Sequence, residues 1–205
     1  MAHAHALTHE DVMRPPVGRE PGSGVYNEKL GMWVFLGSEV MFFTSLIGAY
    51  IILRFGNPEK WAAPGEVLNV PVTAVNTFLL ICSSVTMVKA FASAQDGHQK
   101  ALRSWLIATV LIGATFVGVQ VYEYAELIHK GFVPSEGLYG STFFTMTGFH
   151  GFHVTIGVLC MMFVTWRAFR GKYTATDHRG VEVIGLYWHF VDLVWIILFT
   201  IVYLI

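Results

Sequence analysis

The sequence predicts an all-α, polytopic membrane protein: a bundle of five transmembrane helices with its N-terminus in the cytoplasm and its C-terminus outside. Hydrophobic side chains make up 54% of the 205 residues and charged side chains only 13%, against roughly 25% charged residues in soluble domains. Five apolar segments each reach the length of about 20 residues that crosses a bilayer. Lysine and arginine are concentrated in alternate connections, as expected of a chain that crosses the membrane repeatedly.

The polar segment 1–28 precedes the first apolar run and predicts a flexible cytoplasmic tail. It is rich in proline and small polar residues and lacks the apolar stretch of a secretory signal. The tail contains three histidines, His3, His5 and His9, and metal binding by them is one interpretation. Composition favours a solvated tail without a metal site.

The remainder, 29–205, is predicted to form one transmembrane domain. Because lipid offers the backbone no hydrogen-bond partners, each apolar segment must be helical. Glycine and proline in the connections mark the helix ends. The expected helices span about 31–53, 70–92, 104–128, 140–166 and 183–205.

The distribution of basic residues predicts the orientation, because lysine and arginine are retained on the cytoplasmic side. The tail, the second connection and the fourth connection hold ten of the 13 basic residues: Arg14, Arg19, Lys29, Lys89, Lys100, Arg103, Arg167, Arg170, Lys172 and Arg179. The opposite side holds Arg54, Lys60 and Lys130. This asymmetry places the N-terminus inside and the C-terminus outside.

Glu39 lies within the first apolar segment, about 12 Å from its cytoplasmic end, with Phe35, Phe42 and Phe43 on the same helix face. An ionisable group at this depth is costly unless it is paired, which makes Glu39 a candidate functional residue. Two interpretations stay open. The carboxyl is protonated and exchanges a proton with a neighbouring path, or it only donates a hydrogen bond to a neighbouring helix.

Glu123 and Glu126 are three residues apart near the outer end of the third segment and share a helix face. Tyr122 and Tyr124 beside them match the aromatic belt of a membrane interface. Anchoring and hydrogen bonding between helices are therefore favoured over catalysis.

The last two segments contain three histidines and an aspartate at membrane depth. His150 and His153 share one face of the fourth segment, among glycines that permit close helix packing. His189 and Asp192, three residues apart on the fifth segment, are placed to pair. Neutral imidazole ligates haem, which admits a membrane b-type cytochrome. Haem ligation between two helices uses pairs of histidines. Three histidines, two of them one turn apart on the same segment, fit that arrangement poorly, and a structural role is favoured.

Arg167, at the cytoplasmic end of the fourth segment, is placed to bind a lipid phosphate. An ordinary positive-inside charge explains it equally well. The sequence has no phosphate-binding glycine loop, no nucleophile with a base and no cysteine pair at metal spacing. Soluble enzyme chemistry is therefore not expected, and a self-sufficient proton channel lacks a relay of carboxylates.

Four runs in the chain closely resemble subunit III of cytochrome c oxidase, in the same order. They are LGSEVMFF at 36–43, QVYEYAEL at 120–127, GLYGSTFFTMTGFHGFHVTIG at 137–157 and YWHFVDLVWIILFTIVYL at 187–204. The likeness covers nearly everything after the tail. It is to the short five-helix form found in many bacteria, which lacks the first two helices of the seven-helix form.

This resemblance implies a noncatalytic accessory subunit of a proton-pumping haem-copper terminal oxidase in the bacterial inner membrane. Such a subunit packs on subunit I, with subunit II in the same complex. It supports proton uptake into subunit I and its stability during turnover, and it holds phospholipid. Haem and copper are expected in those partner subunits, and no cofactor or metal in this chain.

The resemblance also carries over to single residues. Glu39 matches the family's carbodiimide-reactive membrane glutamate, and Arg167 matches a lipid-phosphate contact of the longer form. A buried structural network is implied for the matching residues Glu123, Glu126, His150, His153, His189 and Asp192. Quinol oxidases have a similar third subunit, so the electron donor stays open; Glu39 and the GFHGFH run favour cytochrome c.

Overall fold

The computed structural model describes residues 25–61, 67–135 and 137–205, and five long helices account for most of them. The helices are α1 (Asn27–Gly56), α2 (Val70–Gln95), α3 (Gln99–His129), α4 (Leu138–Phe169) and α5 (Arg179–Phe199). A 3₁₀ turn, Pro58–Lys60, follows α1, and a π-helical turn, Thr200–Leu204, extends α5. All five helices are long and apolar enough to cross a membrane. The predicted all-α, five-span fold class is confirmed.

The predicted tail lies outside the described residues as far as residue 24, together with His3, His5 and His9. Its boundary at residue 28 stays a prediction, although α1 already begins at Asn27. Every helix except α2 begins earlier than predicted, and every helix from α1 to α4 ends later. The reason is that apolar runs mark only the hydrocarbon-spanning part, whereas the helices continue with polar residues into the interface.

Three helices end with the same backbone device at a glycine. Gly97, Gly131 and Gly171 follow α2, α3 and α4 with φ of 74°, 86° and 67°, a conformation that costs other residues more than glycine. At α2 the N–H of His98 bonds to Ser93 O at 2.9 Å and that of Gly97 to Ala94 O at 3.1 Å. This is the Schellman motif, which satisfies carbonyls left open at the helix end.

Helix α5 is the most extensively buried of the five helices. Helices α2, α3, α4 and α5 each contact the next around a ring that closes between α5 and α2, and α1 packs outside against α4 and α5. The buried face of α5 includes Trp188 and Trp195, each 1% exposed or less. Most of α1 remains uncovered, with large apolar side chains such as Val34 and Met41 exposed.

Close helix contact around Trp188 depends on two glycines. A Cβ on Gly113 of α3 would lie 2.7 Å from Cη2 of Trp188, and one on Gly157 of α4 would lie 3.0 Å from its Cε3 and Cζ3. The indole is therefore held between two glycine backbones. Gly148 and Gly151, also expected to permit close packing, have their nearest neighbouring atoms at an ordinary 3.9 Å.

Polar contacts connect neighbouring helices on the side of the bundle where most basic residues lie. Lys29 at the start of α1 bonds to Glu182 at the start of α5 at 2.5 Å. Arg103 of α3 donates to the Ala168 carbonyl of α4 at 3.2 Å. The start of α1, α3 and α5 and the end of α2 and α4 thus share one side, which is the alternation required for Lys and Arg to be segregated.

Candidate functional site

Glu39 forms a side-chain pair with His153, across the interface of α1 and α4. Glu39 Oε2 lies 3.0 Å from Nε2 of His153, and the two side chains are 17% and 12% exposed. The other ring nitrogen, Nδ1, lies 2.7 Å from the carbonyl oxygen of Phe149. The expected partner of Glu39 on a neighbouring helix is therefore an imidazole.

Hydrogen counting constrains the protonation of this pair. A carbonyl oxygen only accepts hydrogen bonds, so Nδ1 of His153 must carry the hydrogen that faces Phe149. Nε2 then either accepts a hydrogen bond from a protonated Glu39 or, as part of an imidazolium, donates one to the Glu39 carboxylate. Both arrangements are neutral overall and share one dissociable proton, which is the form that a low-dielectric site favours.

Aromatic rings enclose the pair on the α1 side. The ring centroids of Phe43 and Phe42 lie 5.1 Å and 6.2 Å from that of His153. Phe35, one turn before Glu39, packs at 6.2 Å on Tyr187 of α5, whose hydroxyl donates to the His153 carbonyl at 2.9 Å. Of the three phenylalanines predicted on the Glu39 face, Phe42 and Phe43 thus contact the imidazole and Phe35 contacts Tyr187.

Glu123 and Glu126 share a predicted face but have different surroundings. Glu123 is buried, and its Oε1 accepts hydrogen bonds from Thr73 of α2 at 2.8 Å and from Tyr203 at 3.1 Å. Glu126 is a third exposed and pairs with Lys130 one turn later at 2.6 Å. Only Glu123 connects helices in the described structure, through hydroxyl groups that the sequence pattern did not single out.

His150 is completely buried in an aromatic environment. Its ring stacks on Trp195 with a centroid distance of 4.7 Å, and the edges of Phe43 and Phe116 approach at 6.4 Å and 6.2 Å. Neither ring nitrogen bonds to a described residue. Although His150 and His153 lie on neighbouring turns of α4, only His153 reaches Glu39.

His189 and Asp192 meet Ser84 of α2. Nδ1 of His189 lies 3.0 Å from the Ser84 hydroxyl oxygen, which also hydrogen-bonds with Oδ2 of Asp192. A serine hydroxyl thus stands where a direct His–Asp pair was expected. The sequence signal that could have pointed to it is the adjacent pair Ser83 and Ser84 inside an apolar span.

Arg167 is exposed at the end of α4, on the rim of a groove of about 630 Å³ between α1, α4 and α5. Its guanidinium lies 5.5 Å from the ring centre of Tyr173. Apolar side chains such as Leu159 and Phe163 line the groove below it, and Arg179 on the same rim pairs with Glu28 and Asp177. Burial raises the pKa of the Tyr173 phenol, so this ring stays neutral beside the cation. The Arg167 guanidinium above an apolar floor suits the phosphate and acyl chain of a phospholipid.

Across residues 25–61, 67–135 and 137–205, no group of three or more His, Cys, Asp or Glu side chains is placed to hold a metal ion. The intramembrane histidines instead contact a carboxylate, a hydroxyl or aromatic rings.

Comparison with known proteins gives one consistent result. A family model described as cytochrome c oxidase subunit III matches residues 23–205. The chain is 42% identical over 176 residues to "Cytochrome c oxidase subunit 3" of Thermostichus vulcanus, covering 85% of this chain and 86% of that protein. It is 40% identical over 179 residues to the protein of that name in Corynebacterium diphtheriae, covering 86% and 87%, and 36% identical over 178 residues to that of Bacillus sp. PS3, covering 87% and 86%. Because the family model matches the whole described bundle, the chain belongs to the cytochrome c oxidase subunit III family.

Proposed function

We propose that this chain is the noncatalytic third subunit of a proton-pumping haem-copper terminal oxidase, and that it supports proton uptake into subunit I and the stability of subunit I during turnover. The observation that carries the proposal is the Glu39–His153 pair, whose Oε2 and Nε2 atoms lie 3.0 Å apart between two helices. Membership of an oxidase subunit family implies a membrane complex with other oxidase subunits.

The position of the pair fits exchange with a neighbouring protein. Glu39 is 12 residues after the start of α1, about 18 Å along the helix. With the basic end in the cytoplasm, as the positive-inside rule requires, this is the inner half of the membrane, the side from which a pump takes up protons. The orientation itself is part of the proposal.

Subunit I is the proposed main contact, with subunit II in the same complex, in a bacterial inner membrane. The uncovered face of α1 supports this assignment, because it carries exposed Leu30, Val34, Met41, Ile52 and Phe55. Contiguous apolar surface of this kind is covered either by lipid or by another membrane protein. Haem and copper are assigned to those partners.

A phospholipid is the proposed occupant of the groove below Arg167. The guanidinium suits a phosphate, which it can bind through two parallel hydrogen bonds, and the apolar floor suits an acyl chain. The electron donor is proposed to be cytochrome c, as the names of the relatives indicate for those proteins. A quinol-oxidising complex is the alternative.

The proposal is tested by replacing Glu39 with glutamine in the assembled oxidase. Glu39→Gln keeps the size of the side chain and removes its dissociable proton, so we expect unchanged assembly but fewer turnovers before inactivation and slower proton uptake. Glu59→Gln, in the exposed 3₁₀ turn, is the matched control and should behave as the wild type. Equal catalytic lifetimes and proton uptake in all three proteins would reduce Glu39 to a packing residue.

A further inference from the structure

A second polar cluster, separate from Glu39, lies where α2 packs against α5. The hydroxyl of Ser84 contacts both His189 Nδ1, at 3.0 Å, and Asp192 Oδ2. Asp192 is 4% exposed, and its Oδ1 bonds to no described residue. The hydroxyl is therefore the direct link between a buried carboxyl and a half-buried imidazole.

The hydrogen count of the serine limits what this cluster can be. A hydroxyl has one hydrogen to donate and lone pairs with which to accept. If Ser84 donates to Asp192, His189 must donate from Nδ1 to the Ser84 oxygen. If instead a protonated Asp192 donates to Ser84, the hydroxyl hydrogen is free to point at an unprotonated Nδ1. The two patterns differ only by moving two hydrogens along the same pair of hydrogen bonds.

The net charge of Asp192 and His189 decides which protonation states are favourable at membrane depth. None of the ion pairs of the described residues includes Asp192. A carboxylate beside a neutral imidazole would thus leave an uncompensated negative charge at membrane depth, which is strongly unfavourable. The two neutral combinations are protonated Asp192 with neutral His189, and ionised Asp192 with imidazolium. Both contain one dissociable proton.

The imidazole end of the cluster lies on the outer surface of the bundle. His189 is half-buried, and Leu193 and Ile196, one and two turns later on α5, are exposed. On α2, Ile81 and Val88 on either side of Ser84 are exposed as well. Asp192 therefore lies inside the bundle, and His189 connects it to the face that lipid or a neighbouring subunit covers.

We propose that Asp192, Ser84 and His189 form a proton-binding relay that is distinct from the Glu39–His153 pair. At rest the proton is on the Asp192 carboxyl, and the Nδ1 of His189 accepts from Ser84. In the transfer step the Asp192 O–H bond breaks as a new bond forms between that proton and Ser84 Oγ. The original Ser84 O–H proton passes to Nδ1 of His189, leaving a carboxylate and an imidazolium.

Infrared spectroscopy of the assembled, membrane-embedded oxidase at neutral pH tests the resting state. A protonated carboxyl gives a carbonyl stretching band that a carboxylate lacks, and isotopic labelling of aspartate identifies its origin. We expect one aspartic acid band that is lost in Asp192→Asn and retained in Asp177→Asn, a control at an exposed loop aspartate. An unchanged set of bands in Asp192→Asn would overturn the proposal.

The relay through Ser84 needs its own test, because a protonated Asp192 could exist without it. Ser84→Ala removes the linking hydroxyl, and Ser84→Thr keeps one. We expect Ser84→Ala to shift the Asp192 band and to change the ring-nitrogen resonances of ¹⁵N-labelled His189, while Ser84→Thr retains the wild-type pattern. If neither signal responds to Ser84→Ala, the serine does not couple the two groups.

This inference does not depend on the proposed function, and the two fail separately. Loss of the Asp192 band in Asp192→Asn depends only on the packing of α2 against α5. A normal catalytic lifetime in Glu39→Gln would refute the role of the other pair and leave this band unaffected.

Discussion

Adding a single methyl group at Gly113 should destabilise the bundle, because the indole of Trp188 cannot move away from it. An alanine Cβ there would lie 2.7 Å from Cη2 and 3.0 Å from Cζ2 of Trp188. On its other side the indole contacts Gly157, and its Nε1 donates to the Ser83 hydroxyl at 2.9 Å. Any displacement of the ring therefore breaks a hydrogen bond or creates a second clash.

The magnitude follows from two opposing terms. Overpacking a tight interior costs about 1–3 kcal/mol, while alanine is favoured over glycine in a helix interior by up to about 1 kcal/mol. With a helix gain of about 1 kcal/mol, Gly113→Ala should thus lower the free energy of unfolding by about 0–2 kcal/mol. Gly118→Ala, on the same helix with nothing within 4 Å of the added Cβ, should be neutral or stabilising.

Denaturant unfolding of the chain in detergent micelles, followed by circular dichroism, measures both variants. The cost of Gly113→Ala should also be smaller when Trp188→Phe supplies a smaller ring, with a coupling energy of about 1 kcal/mol. The reasoning about close packing is refuted if Gly113→Ala is as stable as Gly118→Ala.

Tyr203→Phe removes one of the two hydroxyl donors to the buried Glu123 of α3 and should lower the free energy of unfolding by about 1–2 kcal/mol. Tyr122→Phe, at an exposed tyrosine, is the control. Equal effects of the two substitutions would contradict a specific bond to Glu123. Lys130→Gln removes only the largely exposed pair with Glu126 and should change stability by less than about 0.5 kcal/mol in the same unfolding experiment, so a larger loss would assign Glu126 a connecting role.

The number and type of the elements could be predicted because one physical requirement dominates them. A segment in lipid must satisfy its own backbone hydrogen bonds, so each long apolar run becomes a helix. The positions of the helix ends were harder to predict, since hydropathy ignores polar residues that continue a helix into the interface. Glycine marked these ends more closely than hydropathy, because Gly97, Gly131 and Gly171 each lie two residues after the end of α2, α3 and α4.

Pairings within the site were harder to predict than the residues that take part in them. Glu39 and His153 could each be selected as costly polar groups in lipid, but their contact spans 114 positions and depends on how α1 lies on α4. The helical spacing of His189 and Asp192 predicts a direct pair, yet both side chains contact Ser84 on α2. Spacing within one helix indicates a shared face and leaves the partner helix undetermined.

The central claim is that haem is bound by partner subunits and not by this chain. The most direct test is to purify the tagged chain from its native membrane and record the visible absorption spectrum. We expect it to co-purify with haem-bearing subunits in a constant ratio and, once separated from them in mild detergent, to lose all haem absorption. A stoichiometric haem b spectrum retained by the separated chain, or the absence of any haem-bearing partner, would contradict the account.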